Sequence, residues 1–133
     1  MSQENVDRMR RAFAAWERDD RPKTEALLRE SLAPDFEMHP LYLDKVYRGV
    51  EGMWAMGADA REIWEDYRFE LEEILDREDH VLVIGRVLGR GIASGVPINQ
   101  PLAMLFTFRD DKAVRGRSFT SKQDALEAAG LRE

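Results

Sequence analysis

Cysteine is absent from this chain. That excludes disulfides, thiolate metal sites and a cysteine nucleophile. Histidine is almost absent: His39 and His80 are the only two, so any imidazole chemistry falls on one of them. Positive charge is in deficit. Lys and Arg number 20 against 26 Asp and Glu, for a net charge of −6, and no basic run stands out. A nucleic-acid partner is therefore not expected, because it requires a basic face to displace counterions. No apolar run approaches the ~20 residues of a membrane span. The N-terminus is polar and lacks the apolar stretch of a signal peptide, so a cytoplasmic location is expected. The glycines have neither phosphate-loop nor dinucleotide spacing, so no nucleotide cofactor is expected. His39 with Glu37 and Asp44 has no recognisable metal-ligand spacing, so no metal is expected either.

What is present is an ordinary globular composition, 44% hydrophobic and 35% charged over 133 residues. That suits one domain spanning residues 1–133. The first 33 residues predict two helices. Val6, Met9, Phe13 and Trp16 recur at helical spacing. Pro22 suits the first turn of the second helix, which carries Ala26, Leu27, Leu28 and Leu32 and ends at Ala33-Pro34-Asp35. A short strand, Phe36 to Met38, leads to His39-Pro40, and a brief extended piece at Lys45-Val46-Tyr47 follows. Met53, Met56, Gly57, Ala60, Ile63 and Trp64 mark a third helix. The second half changes period. Tyr67, Phe69 and Leu71 alternate with Arg68, Glu70 and Glu72, as on a half-buried strand. Strands follow at Val81 to Arg90, Leu102 to Arg109 and Ala113 to Thr120, and Ser121 caps a last helical turn that Gly130 stops. Long helices followed by a strand meander predict an α+β domain.

This order resembles the NTF2-like superfamily, and within it the bacterial SnoaL-like group. The residues that carry the likeness are Asp35-Phe36-Glu37-Met38-His39-Pro40, Tyr47-Arg48-Gly49-Val50-Glu51-Gly52, Gly91-Ile92-Ala93-Ser94-Gly95 and the tail Asp124 to Leu131. The resemblance covers nearly the whole chain. It implies a cone, in which a strongly curved mixed or antiparallel sheet wraps helices around a pocket. His39, before Pro40, matches the general-base position of the ketosteroid isomerase branch. The tyrosine and acid that this branch uses for the enolate oxygen are missing: there is no tyrosine before residue 42, and Leu102 to Phe106 holds no acid. The epoxide hydrolase and cyclase branches need strand aspartates that Val81 to Leu88 and Leu102 to Phe108 also lack.

Two functions follow. One is a cofactor-free isomerase, cyclase or lyase acting on a small apolar, oxygenated molecule. His39 would be its general base, and Tyr42 or an arginine would steady the oxyanion. The other is a non-catalytic ligand-binding or dimerisation domain. The expected cavity is bounded by Trp64, Tyr42, Met104 and Phe119 beside His39, with Tyr47, Arg86 and Arg117 as further ligand contacts. The arginines have a plainer use, pairing with Glu70 or Glu72 across strands. Both faces of Leu102 to Phe108 and of Val81 to Leu88 are largely apolar, whereas a sheet with one wet face alternates. The outer face is thus expected to be covered. A second copy would make a homodimer; otherwise Leu126 to Leu131 folds back over it.

Overall fold

The computed structural model describes residues 2–130. Helix α1 (Ser2–Glu17) is followed by α2 (Arg21–Ser31). Asp20 caps α2 by accepting the Lys23 N–H, and Pro22 sits in the first turn, where its missing N–H costs nothing. Strand β1 (Leu32–His39) begins directly after α2, then β2 (Tyr47–Arg48) and α3 (Gly49–Ile63). A meander of β3 (Trp64–Arg77), β4 (His80–Gly91), β5 (Pro97–Arg109) and β6 (Lys112–Phe119) leads to α4 (Lys122–Ala128). Ser121 caps α4 through the Asp124 N–H, and Gly130 ends it with φ +72°.

The six strands form one open mixed sheet in the order β2-β1-β6-β5-β4-β3. Only β1 and β6 run parallel; the other neighbours are antiparallel. The fold is the α+β cone that the sequence implies. Its inner face carries the main core, including Phe36, Met38, Val81, Val83, Val87, Met104 and Phe106, against Val6 and Met9 of α1 and Val50 of α3. Phe36 and Phe106 stack with centroids 6.2 Å apart and are almost fully buried. Each such side chain contributes roughly 1.5–3 kcal/mol by leaving water.

Two bulges in β3 keep its apolar side chains on that inner face. Glu65 pairs with Arg90 and Arg68 with Leu88, so Asp66 and Tyr67 together oppose one residue of β4. Asp66 takes up the extra residue at φ +54°, a left-handed conformation that Asp tolerates better than most side chains. A second shift between Leu71 and Glu73 carries Ile74 inward.

The outer face of β4 and β5 is covered from within the chain. Leu82, Ala103 and Leu105 pack under Ala125 and Leu126 of α4, with Ile84 and Phe119 beside them. The C-terminal segment therefore takes the place expected for a second copy, and the bare-face argument for a homodimer does not apply there. Leu131 lies outside the described residues.

Candidate functional site

The cone encloses a cavity of about 110 Å³. Helix α1 supplies Ala12, Phe13 and Trp16, and α2 supplies Thr24 and Leu28. From α3 come Met53, Met56, Gly57 and Ala60, whose helical spacing aims them at one wall. Gly57 matters because Trp16 lies against it: a β-carbon there would stand 3.0 Å from Trp16 Cη2. The sheet contributes Met38, Trp64, Tyr67, Phe69, Leu102, Met104 and Ser118, and the loop after β1 closes one side with Pro40, Leu41, Tyr42 and Leu43. Leu41 N–H donates to Ser118 Oγ at 2.9 Å, and the Tyr42 hydroxyl donates to Gln100 Oε1 at 2.9 Å. These two bonds fasten the loop to β6 and β5.

Among the described residues no Asp, Glu, His, Lys or Arg lines this cavity. Its polar groups are two hydroxyl side chains, two phenols and two indoles. Thr24 Oγ1 is committed to the Asp20 carbonyl at 2.8 Å. Four of the six methionines of the chain stand in the wall: Met38, Met53, Met56 and Met104. Unbranched thioethers give a wall that reshapes around a guest.

Of the residues expected at the site, the structure brings together Tyr42, Trp64 and Met104. Trp64 meets the Tyr42 ring edge-on at 6.3 Å and stacks on Tyr67 at 5.6 Å. His39, Arg117 and Phe119 do not line the cavity. Strand parity explains all three. Met38 and Ser118 face inward, so His39, Arg117 and Phe119 face outward. There His39 Nε2 lies 3.2 Å from Glu37 Oε1, and Arg117 lies 4.9 Å over the Phe119 ring. The His39 contact, with Arg48 on the other carboxylate oxygen, holds Glu37 below the usual carboxylate range. Arg86 is turned outward too, and binds Asn99 Oδ1 at 2.6 Å rather than Glu70, Glu72 or the cavity.

Tyr47 is buried behind the wall, where its hydroxyl donates to Asp59. Burial first, then that carboxylate, pushes its pKa up to about 12. The same bond, with Lys45, lowers the pKa of Asp59.

Sequence reasoning did not single out Tyr67. Simple alternation puts residues 64 and 67 on opposite faces; the bulge at Asp66 puts them on the same one. Tyr67 is half-buried, and among the described residues nothing hydrogen-bonds its hydroxyl, unlike those of Tyr42 and Tyr47. Desolvation raises its pKa above the ordinary value, with Tyr42 adding to the rise and Arg61 opposing it.

The SnoaL-like domain family matches residues 9–116, and the chain belongs to that family. The fold is the one seen in NTF2-like proteins. A similar solved structure is an NTF2-like protein of Burkholderia thailandensis: 22% identity, TM-score 0.74, covering 97% of this chain and 98% of that one. A second is a ketosteroid isomerase-like protein of Catenulispora acidiphila in complex with trimethylamine: 18% identity, TM-score 0.68, with 94% and 93% covered. A third is TerC co-crystallised with polyporic acid: 19% identity, TM-score 0.70, with 92% and 95% covered. No curated protein matches the chain. Among the described residues no helix is long and apolar enough to cross a membrane, and no group of three or more His, Asp or Glu side chains could hold a metal.

Proposed function

We propose that this chain binds a small, largely apolar molecule in the cone, and that binding rather than proton transfer is its activity. The observation that supports this is the cavity wall: apolar, rich in methionine and aromatics, with no Asp, Glu, His, Lys or Arg among the described residues and with phenols as its only titratable groups, that of Tyr67 raised above its ordinary value. General acid–base catalysis needs a titratable group within hydrogen-bond reach of the reacting atom. An isomerase, cyclase or lyase built on His39 would need that ring on the cavity side of β1, where Met38 stands. Two fold relatives crystallised with small molecules, trimethylamine and polyporic acid, are in keeping with a ligand in the cone.

The size of the site fits a compact guest. An apolar protein cavity of about 150 Å³ accepts benzene, and 110 Å³ with a movable methionine wall suits one six-membered ring. The test is a titration of ¹³C-methyl-methionine-labelled protein with methylenecyclohexane. The methyl resonances of Met38, Met53, Met56 and Met104 should shift together while that of Met9, in the core beyond the cavity, stays put. No saturable shift at these four would defeat the proposal.

A further inference from the structure

The cavity holds one group whose chemistry is unspent. Tyr42 and Tyr47 have given their hydroxyl protons to Gln100 and Asp59. Tyr67 has given its proton to nothing among the described residues, yet it stands in a wall of Trp64, Phe69 and Met104. A phenol with no partner in the protein can donate to a guest oxygen placed beside it.

We propose that Tyr67 is the ligand-anchoring residue of this cavity and that the ligand is a neutral, one-ring molecule carrying a single hydrogen-bond acceptor oxygen, such as a ketone. The proposal rests on the reading of the cone as a binding site and specifies the class of guest. Three observations converge. The hydroxyl has no hydrogen-bond partner among the described residues, and Tyr67 lines the cavity. The bulge at Asp66 turns Tyr67 onto the same face as Trp64, so the ring is held by stacking at 5.6 Å rather than loose. The wall has no charged group among the described residues, and Arg61, whose charge reaches the Tyr67 hydroxyl, lies outside it over the Trp16 ring, so an ionic guest would find no ion-pair partner in the wall, which costs more than a neutral oxygen does. Burial also keeps the phenol protonated through the neutral range, so it stays a donor.

The experiment uses three probes of one ring size: cyclohexanone, methylenecyclohexane and cyclohexanecarboxylate. The first two differ only by oxygen against methylene. Affinities are read from the methionine methyl shifts for the wild-type chain and for Tyr67→Phe, which keeps the ring and its stacking. The wild type should favour cyclohexanone over methylenecyclohexane by about three- to tenfold, the scale of one neutral hydrogen bond, and should bind the carboxylate weakest. Tyr67→Phe should bring the ratio of cyclohexanone to methylenecyclohexane affinity down to about one. A ketone preference that survives in Tyr67→Phe, or carboxylate binding as tight as that of the ketone, overturns the anchor and the ligand class while leaving the binding reading intact. If methylenecyclohexane itself fails to bind the wild type, the binding reading falls and the anchor with it.

Discussion

Replacing Asp66 tests whether the bulge in β3 builds the site. Its φ of +54° lies in the left-handed region, where side-chain crowding costs an L residue roughly 1–2 kcal/mol and a β-branched one is a true outlier. Glycine carries no such cost. Among the described residues Asp66 makes no hydrogen bond or ion pair that a substitution would lose, so its backbone conformation dominates. Asp66→Val should therefore lower unfolding free energy by about 1–2 kcal/mol, and Asp66→Gly should leave it unchanged or raise it by up to ~1 kcal/mol. Urea unfolding reads both, as a shifted midpoint at constant slope. Because Asp66 is the extra residue of the bulge, deleting it leaves Trp64 and Tyr67 two positions apart in plain alternation and still on one face. The deletion should therefore preserve methylenecyclohexane binding and the Trp64–Tyr67 coupling in near-ultraviolet circular dichroism. A Val variant as stable as wild type, with a Gly variant less stable, would refute the backbone argument. A folded deletion variant that loses both would refute the parity argument.

Other outcomes follow from neighbouring contacts. Leu105→Glu puts a carboxylate under α4, where Leu105 is buried against Ala125 and Leu126; it should cost about 3 kcal/mol or more and expose the chain after Phe119 to limited proteolysis. Tyr47→Phe should lose about 1 kcal/mol at pH 7, measured by urea unfolding, since Asp59 is left without its phenol donor. The pH dependence has a definite sign. Tyr47 titrates higher folded than unfolded, so its stabilisation is present below about pH 10 and lost as pH rises towards 12; that alkaline limb should be missing in the Phe variant. The lowered pKa values of Asp59 and Glu37 act oppositely: their contribution is present above the ordinary carboxylate range and lost as pH falls through the folded values. His39→Ala should soften the acid limb through Glu37 and leave cyclohexanone affinity within twofold of wild type by methyl titration.

The helices were legible because their signals are local. Asp20 with Pro22, and Ser121 with Gly130, mark two helices with chemistry that needs no tertiary context. The start of β1 was less so. Pro34-Asp35 predicts a break, yet the strand runs from Leu32; Pro34 falls where the β1–β6 register is irregular between Leu32 and Glu37, so its missing donor is tolerated. The apolar second face of β4 and β5 was visible, but what covers it was not, since α4 offers only a few apolar residues in a short segment. Within the site, Trp64, Tyr42 and Met104 were found by position. His39 drew attention as a rare residue type beside Pro40, whereas the inward residue is its neighbour Met38. Tyr67 stayed hidden because a one-residue bulge inverts parity and leaves little trace in the sequence beyond an aspartate able to accept positive φ.

The most direct test of the account is a crystal structure of the wild-type chain soaked in cyclohexanone. The account requires density for one ring inside the cone, between Trp64 and Met104, with its oxygen within hydrogen-bond distance of the Tyr67 hydroxyl and His39 still on Glu37. An empty cone, or a ketone seated beside His39 with that ring turned off Glu37, would contradict it.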